Sequence, residues 1–76
     1  LRVYPNPTYG PFRIDFGTEL RTATINIFSA VGVLVYSESI RSASYAEISL
    51  PITNGIYFVQ LKGENGSVSF GKIIKR

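Results

Sequence analysis

The chain has 76 residues, a net charge of +3, 45% hydrophobic residues, no cysteine and no histidine. A chain of this length forms one small domain, residues 1–76, whose core must be stabilised without disulfides or thiolate-bound metal. Without histidine the usual general base is missing, and the cations are spread along the chain rather than gathered in a stripe. We therefore expect no enzyme, no cofactor, no metal, no small-molecule substrate and no nucleic-acid partner.

Apolar residues alternate with polar ones along most of the chain, which is typical of β-strands with one buried face. Phe12, Ile14 and Phe16 are the first clear example, and turn-forming glycine, proline and asparagine separate the later runs. The pattern predicts an all-β fold, an antiparallel immunoglobulin-like β-sandwich of about seven strands. The predicted strands are residues 1–4, 12–16, 22–27, 33–36, 46–50, 56–61 and 67–74.

The same sequence pattern also predicts a loop, two turns and a core. The serine-rich residues 37–44 predict a long loop, and Pro51 predicts a turn. Asn65-Gly66 predicts a two-residue hairpin turn, with Tyr57 opposite Ile74. Gly63 and Gly71 leave a longer loop or a bulge open as the alternative. The inward positions predict a core of Phe12, Ile14, Ile25, Ile27, Val35, Ile48, Leu50, Val59 and Leu61.

Both ends of the chain carry a motif that strand patterning does not explain. The segment Pro5-Asn6-Pro7-Thr8-Tyr9-Gly10 follows the first strand. Asn54, Gly55 and Tyr57 form a Gly-x-Tyr after a polar turn, and the chain ends in Lys72-Ile73-Ile74-Lys75-Arg76.

These three motifs, in this order, resemble the C-terminal sorting domain of the type IX secretion system (type A, Por secretion tail family). The resemblance covers nearly the whole chain. It implies a fragment of a larger exported protein, a tail by which certain Gram-negative bacteria mark an N-terminal cargo domain for passage through the outer membrane. The implied partners are the type IX translocon, an outer-membrane shuttle protein and a surface sortase. The implied location is the periplasm in transit, then the cell surface or the medium.

The resemblance assigns sorting and receptor recognition to the motif residues Pro5, Asn6, Pro7, Gly10, Asn54, Gly55, Tyr57, Lys72, Ile73, Ile74, Lys75 and Arg76. Strand addition or groove insertion suits such a terminus, with the isoleucines as anchors and the cations selecting the partner. Structural roles stay open beside this one, because the prolines can set a corner. Gly55 can supply a positive φ while Tyr57 packs in the core.

A second function stays open for the tyrosines. Tyr4, Tyr9, Tyr36, Tyr45 and Tyr57 could form a sugar-stacking platform, since a phenol ring has an apolar face and a polar edge. A carbohydrate-binding or spacer sandwich of a secreted enzyme is therefore the alternative, and it predicts a row of exposed rings on one sheet face.

Overall fold

The computed structural model describes residues 1–50 and 53–76, so the predicted turn at Pro51 lies outside the described residues. Five strands, all paired antiparallel, form one sheet. The strands are β1 (Arg2–Tyr4), β2 (Phe12–Ser29), β3 (Leu34–Ile48), β4 (Gly55–Gly63) and β5 (Val68–Lys75). The all-β antiparallel prediction is confirmed. In the described part of the chain no helix is long and apolar enough to cross a membrane.

The predicted count of seven strands is wrong because two of the observed strands each include two predicted strands and the residues between them. Residues 12–16 and 22–27 are halves of β2, while 33–36 and 46–50 mostly fall in β3. The predicted loop at residues 37–44 is also wrong, since it lies inside β3 and pairs with β2. Its small polar side chains fit an exposed strand face: the Ser37 hydroxyl donates to Asn26 Oδ1 over 2.8 Å.

A large bulge explains why one strand looked like two. Asp15 pairs with Tyr45 and Leu20 with Ala43, so residues 16–19 of β2 lie opposite Ser44 alone. Gly17 at the bulge has a φ of 82°, which is readily adopted only without a Cβ. Such an insertion bends the strand and changes which side chains face inward. Even-numbered residues are buried before the bulge and odd-numbered ones after it.

Both halves of β2 line a single core. Every residue predicted for the core is buried except Val35, which is partly buried and packs against it. Val35 lies next to the second register irregularity of the β2–β3 pair, where Ile27 faces Tyr36 and Phe28 faces Leu34. An immunoglobulin-like arrangement is not confirmed, because all the strands are joined in one hydrogen-bonded sheet.

The β4–β5 hairpin is shifted by one residue from the predicted register. Gly66 N–H donates to Gly63 C=O over 3.1 Å, and Gly63 N–H donates to Ser67 C=O over 2.8 Å. Since Gly66 has a φ of 86°, the loop is a three-residue turn closed by a glycine bulge rather than a two-residue turn. Tyr57 consequently faces Ile73, and Ile74 faces Ile56.

Candidate functional site

The Pro-Asn-Pro segment and the C-terminal strand are in direct contact. The Asn6 side chain donates from Nδ2 to Lys72 C=O over 2.8 Å and accepts from Ile74 N–H over 3.0 Å at Oδ1. A primary amide presents the same donor and acceptor as a peptide group. Asn6 therefore takes the place of a neighbouring strand on the outer edge of β5.

Thr8 continues this pairing along the same edge. Its N–H donates to Ile74 C=O over 2.8 Å, and its C=O accepts from Arg76 N–H over 2.9 Å. The Thr8 side chain is 1% exposed, and its hydroxyl bonds to the backbone of Gly10 and Pro11. Thr8 was not among the predicted site residues, and nothing in its sequence context distinguishes it from the neighbouring Tyr9.

The other members of the first motif shape this contact. The Tyr4–Pro5 and Asn6–Pro7 peptide bonds are both cis, and neither proline has an N–H to donate. Gly10 donates its N–H to the Thr8 hydroxyl over 3.2 Å. The motif therefore pairs with the outer edge of β5 through the side chain of Asn6 and the main chain of Thr8.

The Gly-x-Tyr motif lies on the opposite edge of the same strand. Gly55 begins β4 opposite Lys75, with a φ of 155°. Tyr57 is buried opposite Ile73, and its hydroxyl donates to Thr53 C=O over 2.7 Å. The structure thus brings Gly55 and Tyr57 beside the terminal motif as parts of the fold, while Asn54 is exposed just before β4.

The terminal motif separates into buried and exposed members. Ile73 is 1% exposed and belongs to the core, whereas Ile74 is half-buried on the opposite face. Lys72 and Arg76 are exposed and Lys75 is half-buried. Across residues 1–50 and 53–76 the one ion pair is Arg21–Glu64, at 3.4 Å, so the three terminal cations have no carboxylate partner there.

The contact between the first motif and β5 predicts that Asn6 contributes to the stability of the domain. Replacing Asn6 with alanine removes both hydrogen bonds to β5, which should lower the free energy of unfolding by about 1–3 kcal/mol. Urea denaturation measures this loss. Asn54→Ala is the matched control, because no hydrogen bond of the Asn54 side chain is found in the described structure. Equal stability of the two variants would contradict the role assigned to Asn6.

The strands do not carry the row of tyrosine rings that a sugar platform requires, and the exposed Tyr9 lies in the loop between β1 and β2. Tyr57 is buried, and Tyr36 is partly buried with its hydroxyl donating to Glu38. That hydrogen bond, with burial and the nearby charge, raises the pKa of Tyr36 to about 12. Tyr4 and Tyr45 do lie on one face, but Arg13 lies between their strands, its guanidinium 3.7 Å from the Tyr45 ring centroid.

The described residues also contain no group of three or more side chains arranged to hold a metal ion.

One known protein family matches nearly the whole chain. The family described as "Secretion system C-terminal sorting domain" matches residues 2–76. No curated protein sequence matches the chain.

Proposed function

This chain belongs to the family of type IX secretion system C-terminal sorting domains, and we propose that it directs an attached N-terminal cargo protein across the outer membrane. In this proposal the domain acts as an address rather than as an enzyme. An outer-membrane shuttle protein recognises it in the periplasm. A surface sortase then removes it, leaving the cargo at the cell surface or in the medium.

The observation that carries this proposal is the convergence of all three motifs on β5. Asn6 and Thr8 hold one edge of the strand, while Gly55 and Tyr57 lie on the other. The strand ends at Lys75, and Arg76 follows it with its N–H bonded to Thr8 C=O, so the fold fixes the backbone of both residues. The fold therefore holds a positively charged chain end in a fixed position, where its charges can select a partner by electrostatic complementarity.

The same geometry restricts how a receptor would contact the terminus. Strand addition along residues 72–76 competes with Asn6 and Thr8, because they already occupy that edge. Ile73 is in the core of the folded domain, so Ile74 is the isoleucine that a receptor can reach. We therefore propose that recognition of the folded domain depends on Lys72, Lys75 and Arg76 with Ile74 beside them.

The amino-acid composition is compatible with a sorting signal that carries out no catalysis. The chain has no cysteine or histidine, and these residues supply most nucleophiles and bases of hydrolases. Its carboxylates are scattered: Glu64 pairs with Arg21, and Glu38 accepts from Tyr36.

A reporter experiment tests the proposal. Residues 1–76 are fused behind a periplasmic reporter in a host with a working type IX system, and the secreted fraction of the reporter is measured. We expect secretion with the domain and retention in the periplasm without it. Equal retention of the reporter with and without the domain would overturn the proposed function.

A further inference from the structure

The outer face of the sheet formed by β2, β4 and β5 carries large apolar side chains. Phe28 pairs with Phe58 across β2 and β4, and Ile56 pairs with Ile74 across β4 and β5. Leu34 extends the row onto β3, and Phe70 lies on β5 diagonally from Phe58. We call these six residues the outer apolar face.

Solvent reaches this face over much of its area. Phe58 is 42% exposed and Phe70 is 66% exposed, and Leu34 and Ile56 are exposed as well. Single exposed apolar residues are normal, but contiguous apolar patches on a small domain mark interaction sites. The opposite face of the same strands already lines the core through Ile27, Val59 and Ile73.

The charged side chains next to the outer apolar face are positive. Lys72 lies directly beside Phe58 in the register, and Lys62 lies four residues beyond Phe58 along β4. The carboxylate nearest to the face in the register is Glu64, at the far end, where it pairs with Arg21 and accepts from Thr22. A complementary surface would therefore be apolar with carboxylates at its margin.

The edge of β5 beside Phe70 is also free among the described residues. In an antiparallel pair, alternate residues direct both main-chain groups to the same side. Ile74 directs its N–H and C=O to Asn6 and Thr8, away from β4. Phe70 has the same parity, so its main-chain groups also point outward, and no hydrogen bond to them is found in the described part of the chain.

We propose that the outer apolar face is a docking surface for a protein of the secretion apparatus whose own surface is apolar with an acidic margin. This inference rests on the proposed function and extends its contact from Ile74 and Lys72 across the sheet to Phe58 and Phe70. A second copy of this domain fits less well. Each copy has a net charge of +3, and pairing two such faces brings lysines together with no free carboxylate between them.

The test compares exposed positions of equal accessibility on two faces. In the reporter fusion, Phe58→Gln is compared with Tyr45→Gln, because Tyr45 is 45% exposed on the far half of β3. We expect the Phe58 variant to reduce the rate of reporter secretion about tenfold, as loss of a central apolar contact typically does. The Tyr45 variant should secrete at the rate of the unchanged domain. Phe70→Gln repeats the test at a more exposed position if the Phe58 variant fails to fold.

Reversing the charge of Lys62 tests the predicted acidic margin of the partner independently. Lys62→Glu should reduce secretion and Lys62→Arg should not, because only the first reverses the charge facing an acidic margin. Equal secretion by Phe58→Gln, Phe70→Gln and Tyr45→Gln would overturn the docking surface. Sedimentation that shows a dimer of the unchanged domain and a monomer of the Phe58 variant would also overturn it, in favour of a second copy. If the unchanged fusion is itself retained, the proposed function fails, which is a separate result.

Discussion

Deleting residues 72–76 is expected to unfold the whole domain. The deletion removes Ile73 from the core and takes away the β5 partners of residues 55–58. It also removes every hydrogen bond that Asn6 and Thr8 make to β5. Loss of a buried isoleucine alone costs about 2–5 kcal/mol on truncation to alanine, and a domain of this size has about 5 kcal/mol of stability or less.

Circular dichroism and limited proteolysis of the purified domain measure the effect. We expect loss of the β-sheet signal and rapid digestion. A cooperative thermal transition near that of the full chain would contradict the contribution assigned to β5. Because the deletion unfolds the domain, its secretion defect cannot be attributed to loss of a recognition signal.

The adjacent isoleucines are expected to differ strongly in their effect on stability. Ile73→Ala should lower the free energy of unfolding by about 2–5 kcal/mol, because the side chain is 1% exposed and lies in the core. Ile74→Ala, at a half-buried position on the outer apolar face, should cost less than half as much. The two variants remove the same atoms from neighbouring positions of one strand, so each is the other's control.

Urea denaturation of both variants tests this difference. Equal losses would place both isoleucines in similar surroundings and contradict the observed hairpin register. With the predicted two-residue turn, Ile74 rather than Ile73 would have faced Tyr57.

Alternation along the strands was sufficient to predict an all-β fold and most of its core. Ile14, Ile25, Ile48 and Val59 are buried as predicted, because a period of two survives in any strand that covers a core. The number of strands could not be obtained in this way. A bulge such as residues 16–19 interrupts the pattern as a turn does, although the strand continues through it.

Turn chemistry and long-range contacts were the other sources of error. Asn65-Gly66 suits a two-residue turn, but Gly63 and Gly66 allow the three-residue loop that the chain adopts. The recognition role that the resemblance assigns to the terminal motifs stays a prediction. Their contact through Asn6 was not predicted, since a hydrogen bond between residues 6 and 72 leaves no local signal in the sequence.

Secretion of a folded variant that lacks only the terminal cations tests the central claim most directly. Lys72, Lys75 and Arg76 are replaced by alanine in the reporter fusion, and the control replaces Arg2, Arg21 and Arg41, which lowers the net charge equally. Lys72 and Arg76 are exposed and Lys75 is half-buried. Each substitution of such a surface charge usually changes stability by no more than about 0.5 kcal/mol, so both variants should stay folded and resist protease. We predict that the terminal variant is retained in the periplasm while the control is secreted like the unchanged domain. Full secretion of the folded terminal variant would contradict the proposal that these three cations are the recognition signal.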